Sequence, residues 1–293
     1  MKNFERLLLF AFCTLLLACS ATDTNGEDEP KVVDRTANLK TTGDSANDIL
    51  SNANFDKMLI EIGYVRGFKP TETAISQFTD FLRQHTFKQD IEIKYLELDS
   101  PEEEDLELQK IADLEKENRT AYNDGRTLAI YIYFADAPSE GDDMSEGLVT
   151  VGAVYRNTSM IIYKDTIIRL AAQSSLISVA DVESATLNHE FGHLFGLVNL
   201  GTEMVNPHES ESENEDGELV GNSHCSIAGC LMRSELQLGR ATGKSKVVKN
   251  GPKAICNLSG TTVVRMLRSK SGKGNTVALG AECVRDLGAN GGR

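Results

Sequence analysis

The segment that most constrains the fold carries two histidines four positions apart, His189 and His193, with Glu190 directly after the first. An α-helix places positions i and i+4 on the same face, so both imidazoles can reach one ion if this segment is helical. Zinc binds neutral imidazole, and a catalytic zinc keeps one position open for water. A carboxylate beside the ion can accept a proton from that water. The spacing therefore predicts a helical zinc site with His189 and His193 as ligands and Glu190 as the general base.

The residues around this segment support a helix more strongly than a chance match. Ser178 and Asp181 are typical of a capping box, which begins a helix, and Gly196 can end one. With 5 His and 44 acidic residues among 293, the spacing H-[DE]-x-x-H arises by chance in roughly one chain in a hundred. We therefore expect a helix between Ser178 and Gly196, with an accidental match as the weaker alternative.

The N-terminus has the pattern of an export signal. Lys2 and Arg6 precede an apolar run over residues 7–17, which is too short to cross a membrane because a spanning helix needs roughly 20 residues. The sequence Leu-Leu-Ala-Cys that ends at Cys19 resembles a bacterial lipobox, in which the cysteine is lipidated and becomes the mature N-terminus. The alternative is an ordinary signal peptide with an incidental cysteine.

The extension of the histidine segment through Gly196 to Asn199 resembles the metzincin metalloproteases, whose signature runs HExxHxxGxxH and is followed by a methionine-containing turn beneath the metal. The resemblance implies that Met232, in Cys-Leu-Met, is that methionine. It also implies a third ligand at Asn199, but a carboxamide binds zinc less well than imidazole. We therefore expect the third ligand elsewhere. His208 is preferred because it is nearer in sequence, and His224 and Asn199 are the alternatives.

The wider pattern resembles bacterial lipoprotein membrane metalloproteases. It combines the lipobox with HEFGH, GLVN, a downstream His, HC, CLM and a C-terminal ANGG. The resemblance implies a lipoprotein signal peptide at 1–18, a flexible tether at 19–44 and a metalloprotease domain at 45–293, with a C-terminal subdomain from about 197. Few large apolar residues occur between Ser20 and Asp44, which also favours a tether.

Hydrophobic periodicity predicts an α/β fold. Alternating strands and helices imply a mostly parallel sheet, so we expect a metzincin-like twisted mixed sheet, an active-site helix and a small, irregular C-terminal subdomain. The acidic segment from Glu209 to Glu218 is expected to be a solvated loop. The predicted strands lie near 58–65, 91–95, 128–134, 148–155 and 160–163, and the predicted helices run from Pro70 to His85 and from Ser100 to about Tyr122.

Cysteine usage fits an oxidising compartment. Cys13 leaves with the signal and Cys19 takes the lipid, which leaves four cysteines for disulfides. We prefer Cys225 with Cys230, which would hold the loop carrying Met232, and we pair the other two residues, Cys256 and Cys283, near the C-terminus. A cysteine-based zinc site is the competing interpretation.

These observations predict a Zn²⁺-dependent metalloendopeptidase that hydrolyses protein or peptide substrates outside the cytoplasm, through a zinc-bound water with Glu190 as general base. We expect a bacterial membrane lipoprotein of the outer membrane, facing the periplasm or the cell surface and attached by its N-terminal lipid. A formal net charge of -14 argues against nucleic acid as a partner. Two alternatives stay open: a lipid-anchored binding protein with a structural zinc site, and a zinc hydrolase of a non-peptide amide.

The lipobox gives a test of the anchor. Cys19→Ala should release soluble protein or stall processing of the precursor, because it removes the residue that would carry the lipid. Fractionation of cells that express the wild-type chain or the variant measures this. Correctly processed variant that stays on membranes through salt and carbonate washes would contradict a lipid anchor at Cys19.

Overall fold

The computed structural model describes residues 34–143, 149–173, 175–214, 217–233, 258–259, 264, 267 and 277–293. These residues belong to one compact unit that begins at Asp34. The predicted signal peptide, Cys19 and Cys256 lie outside the described residues. No helix in the described ranges has the length and apolar character that a bilayer span requires.

A mixed sheet of six described strands forms the centre of the fold. The described strands are β1 (Lys57–Val65), β2 (Asp90–Leu98), β3 (Thr127–Ala135), β4 (Thr150–Arg156), β5 (Ser159–Tyr163), β6 (Glu209–Glu213), β7 (Leu219–Cys225) and β8 (Leu258–Ser259). The sheet has the order β2-β1-β3-β5-β4-β8, with β1, β2, β3 and β5 parallel and β4 antiparallel to both of its neighbours. A separate hairpin pairs β6 with β7.

Helices cover both faces of this sheet, which confirms the predicted α/β class. The described helices are α1 (Ala46–Leu50), α2 (Glu72–His85), α3 (Leu108–Asn118), α4 (Lys164–Ala172), α5 (Val179–Leu194) and α6 (Ala281–Ala289), with a 3-10 helix at Thr36–Asn38. On one face, apolar side chains of α2, α5, β1 and β3 belong to the main core cluster. The opposite face packs Tyr131 and Tyr133 of β3 against Ile111 of α3.

Helix α5 begins and ends where its sequence predicts. Ser178 accepts a hydrogen bond from the Asp181 backbone, and the Asp181 carboxylate accepts one from the Ser178 backbone, which completes the capping box. At the other end Gly196 has φ +73°, a left-handed conformation that suits glycine. All residues of α5 from Val182 to Leu194 are buried, so the helix runs through the interior instead of along the surface.

The predicted tether is wrong at its C-terminal end, because residues 34–44 pack on the domain. Asn38 is fully buried, and its side chain donates to Asn123, Ala129 O and Thr158 and accepts from the Asn123 backbone. Polar groups can be buried when all of them find partners. A composition poor in apolar residues therefore did not mean disorder here.

Two further predicted elements differ in the structure. The helix expected from Ser100 begins at Leu108, because Ser100 forms a turn with the Glu102 backbone and Glu102 has φ +56°. The acidic segment expected to be a loop contains β6, which pairs with β7. The Glu209 carboxylate accepts hydrogen bonds from Asn199 and the Ser223 backbone, so this acid is part of the folded hairpin.

Gly192 on α5 allows close packing against Met232. A Cβ atom at Gly192 would overlap with Sδ of Met232 and lie 3.0 Å from its Cε. We expect Gly192→Ala to destabilise the fold by about 1–3 kcal/mol, because overpacking forces neighbouring side chains to move. For a domain of this size the melting temperature should fall by about 2–4 °C per kcal/mol.

Gly288→Ala is the matched control, since a Cβ at this glycine of α6 would meet no heavy atom within 4 Å. Thermal denaturation of the two variants beside the wild-type chain should show a loss for Gly192→Ala alone. Equal melting temperatures for both variants would contradict the tight packing of α5 on Met232.

Candidate metal centre

Three imidazoles converge at the end of α5. His189 and His193 present their Nε2 atoms 3.3 Å apart, and His224 joins them from β7. One ligand atom from each histidine lies within 4.8 Å of the other two. In a tetrahedral zinc site with Zn–N distances of 2.0–2.1 Å, nitrogen ligands lie roughly 3.3 Å from each other. The three side chains therefore fit a zinc ion without rearrangement of the helix.

Backbone carbonyls set the orientation of two of these rings. Nδ1–H of His189 donates to Leu231 O at 2.8 Å, and Nδ1–H of His224 donates to Asn222 O at 2.7 Å. A carbonyl can only accept, so each Nδ1 carries the proton and each lone pair is on Nε2. This second layer of hydrogen bonds is typical of histidines that bind metals.

Burial keeps the imidazoles neutral, which is the form that binds metal. It lowers the pKa of His189 to about 3, with a smaller contribution from the neighbouring His224. The pKa of His193 is lowered well below its usual value, and that of His224 is also lowered, in both cases mainly because the rings are buried. Burial therefore favours the neutral form of all three imidazoles.

Glu190 directly follows His189 on α5, is fully buried and lies against β4. A Cβ atom on Gly152 of β4 would lie 3.0 Å from Cγ of Glu190, so the glycine leaves room for the carboxylate. Burial raises the pKa of Glu190 well above its usual value, and a hydrogen bond from Val154 N–H offsets part of this rise. A cation at the histidines would favour the carboxylate form, which is the form a general base needs.

The structure brings His224, and not the preferred His208, together with His189 and His193. Glu209 and Cys225 are partners across the β6–β7 hairpin, so the chain brings His208 and His224 into the same region despite their separation in sequence. Neighbouring residues on a strand point to opposite faces. His224 faces α5, whereas Cys225 faces His208, which lies 3.5 Å from Cys283 Sγ and outside the histidine group. Proximity in sequence was a poor guide because a hairpin separates the two candidates.

Asn199 is exposed, and its side chain forms hydrogen bonds with nearby residues. Its side-chain amide donates to Glu209 at 2.8 Å, and its oxygen accepts from the Met204 backbone at 3.3 Å. The structure therefore does not bring the metzincin-like third position to the histidines. Asn199 has a left-handed φ of +60°, and the preceding Val198 has one of +58°. These two residues turn the chain away from α5.

Met232 lies beneath α5, where the sequence places a methionine turn. The turn is held by a hydrogen bond from Cys225 N–H to Met232 O at 2.7 Å, and the preceding Leu231 carbonyl orients His189. Sequence reasoning missed Leu231, Asn222 and Gly152. Two of them act through backbone carbonyls and the third through an absent side chain, and none has a pattern that marks it.

The predicted Cys225–Cys230 disulfide is not formed. Cys225, Cys230 and Cys283 are buried free thiols, so Cys283 is also not paired with Cys256, which lies outside the described residues. The Cys230 and Cys283 sulfurs are 3.5 Å apart, and one ligand atom from each of His208, Cys225 and Cys283 lies within 4.8 Å of the others. Three sulfurs and an imidazole thus form a second group of potential metal ligands.

Comparisons with known proteins found limited similarity. No protein-family model matches the chain, and no curated protein matches it. Among solved structures, archaemetzincin from Methanopyrus kandleri is similar at 13% identity and a TM-score of 0.47, over 80% of this chain and 96% of that one. Metalloproteinase-II from Bacteroides fragilis is similar at 16% identity and a TM-score of 0.28, over 62% of this chain and 50% of that one. Function therefore has to be argued from the residues of the site.

Proposed function

We propose that this chain is a zinc-dependent metalloendopeptidase, with zinc held by His189, His193 and His224 and with Glu190 as general base. The proposal rests on one observation: three imidazoles converge at the end of α5, and the residue directly after the first of them, Glu190, is a buried carboxylate. Three protein ligands leave a position open, as catalytic zinc sites require. A purely structural site would use a fourth protein ligand, and it would have no need for Glu190.

The zinc ion supplies Lewis-acid activation of water and of the substrate carbonyl when it is bound. The chain supplies proton transfer. Glu190 takes the proton from the attacking water and hands it to the leaving amine, so one carboxylate serves both halves of the reaction. The Leu231 and Asn222 carbonyls keep the imidazoles in the tautomer that binds the ion.

The proposed substrate is an extended protein or peptide segment that binds along the edge of the sheet at β4 and β8. This strand borders Glu190 at Gly152, and it is antiparallel to β5 on its other side. Among the described residues, β8 pairs with this edge only at Thr150 and Gly152. Main-chain hydrogen bonds to a strand edge give affinity with little dependence on side chains, which suits a peptidase.

We also propose that the enzyme works outside the cytoplasm as an outer-membrane lipoprotein. This part of the proposal rests on the lipobox-like sequence before Cys19 and on the export signal, both of which precede the described residues. A non-peptide amide, such as a cell-wall cross-link, is the alternative substrate. Parallel assays on casein and on cell-wall fragments would separate these two substrate classes.

Two variants test the site. Glu190→Gln should lower casein hydrolysis by about 10²–10⁴-fold and leave the zinc content unchanged, because the amide keeps the shape but cannot accept a proton. His224→Ala should lose one equivalent of zinc relative to the wild-type chain as well as activity. Metal analysis of the purified chains and a casein assay measure both.

Asn199→Ala is the matched control, because Asn199 is the metzincin-like third position and is exposed. It should keep both zinc and activity. Wild-type hydrolysis by Glu190→Gln would remove Glu190 as the base. Zinc loss in Asn199→Ala but not in His224→Ala would return the third ligand to the position that the family signature implies.

A further inference from the structure

We infer that His208, Cys225, Cys230 and Cys283 form a second, structural zinc site. All four side chains are buried, with exposed fractions of 4%, 0%, 1% and 0% in that order. They come from the β6–β7 hairpin, the loop before Met232 and helix α6. Cysteine thiolates and imidazole are the ligands that structural zinc sites use, and four protein ligands leave no open position for substrate.

The distances fit one ion among these residues. Cys283 Sγ lies 3.5 Å from Cys230 Sγ and 3.5 Å from His208 Nε2. Ligands of a tetrahedral zinc with Zn–S near 2.3 Å and Zn–N near 2.0–2.1 Å lie roughly 3.5–3.8 Å from each other. One ligand atom from each of His208, Cys225 and Cys283 lies within 4.8 Å of the other two. Cys230 is outside that trio, and its contact with Cys283 makes it the proposed fourth ligand.

The imidazole of His208 has the tautomer that a ligand needs. Its Nδ1–H donates to Asn206 O at 2.8 Å, which puts the lone pair of the neutral ring on Nε2, the atom that faces Cys283. Asp286 Oδ2 lies 3.5 Å from the same Nε2, too far for a charge-assisted hydrogen bond from a protonated ring. An imidazolium–carboxylate pair therefore does not explain the position of His208.

A nearby orphaned oxygen also indicates a cation. Asp286 is 1% exposed, and its Oδ1 accepts from Val205 N–H at 2.8 Å. Its Oδ2 has no hydrogen-bond donor among the described residues, although it points toward His208. A buried carboxylate oxygen without a donor is costly unless a positive charge is close. A disulfide would leave this oxygen unsatisfied, and it would leave one thiol and His208 without a role.

The second site holds the catalytic loop in place, a consequence that rests on the proposed function. Cys225 directly follows His224, and its N–H donates to Met232 O. Cys230 directly precedes Leu231, whose carbonyl orients His189. An ion that links these two cysteines to Cys283 of α6 fixes both ends of the segment that supplies the third ligand and the turn beneath the metal.

Zinc content and cobalt spectra of the full chain test this site. The wild-type chain should bind about two equivalents of metal, and its cobalt form should show a thiolate-to-metal charge-transfer band. Cys283→Ser and His208→Ala should each lose about one equivalent and weaken that band. His224→Ala should also lose one equivalent but keep the band at full strength, because its loss is at the histidine site.

His208→Cys keeps the test decisive if His208→Ala folds poorly, since a fourth thiolate should restore the second equivalent and strengthen the band. One equivalent in the wild-type chain with no thiolate band, together with a Cys225–Cys230 disulfide detected by alkylation and mass spectrometry, would overturn the second site. Failure of the proposed function gives a different result, in which the thiolate band is present but Glu190→Gln and the wild-type chain are equally inactive.

Discussion

The structure depends on how the buried helix α5 satisfies its polar side chains. Burying a charged or hydrogen-bonding group without a partner costs several kcal/mol, roughly 2–7 for a neutral polar group. Several of the buried polar groups on α5 therefore tie the helix to other elements. Glu183 accepts from Lys164 and from the backbone and hydroxyl of Thr71, the N-cap of α2, which joins α4, α5 and α2. His189 donates to Leu231, which joins α5 to the loop beneath it.

The same constraint explains why the two groups of metal ligands are neighbours. On β7, His224 faces α5 and Cys225 faces His208, so a single strand contributes to both. The chain between Cys225 and Met232 closes on itself through the hydrogen bond from Cys225 N–H to Met232 O. A displacement of this segment would move His224, the proposed third ligand, and the carbonyl that orients His189. The proposed second site would hold this segment and so give rigidity where the proposed catalytic centre needs it.

Much of the fold was predictable from the sequence, because periodicity and capping are local signals. The capping box at Ser178, the central strand β3 and the pair of His189 and His193 all follow from residue spacing. The third ligand was not predictable, since the choice between His208 and His224 depends on strand alternation in a hairpin hidden within an acidic segment. The disulfide prediction is wrong for a related reason. Spacing in sequence does not show that Cys283 of α6 lies close to Cys225 and Cys230.

The other differences between prediction and structure concern polar segments. Residues 34–44 looked like a tether because they carry few apolar side chains, yet Asn38 is buried by mutual hydrogen bonds with Asn123 and Thr158. Asn199 occupies the position that the metzincin signature gives to a ligand, but its side-chain amide donates a hydrogen bond to Glu209. In both cases a specific polar contact, which composition cannot reveal, explains the difference.

Anomalous diffraction at the zinc absorption edge, from crystals of the zinc-loaded chain, tests the central claim most directly. The account predicts a peak within bonding distance of Nε2 of His189, His193 and His224, and a second, separate peak among the cysteine sulfurs beside His208. A single peak that includes His208 with His189 and His193, or no peak at the three histidines, would contradict it.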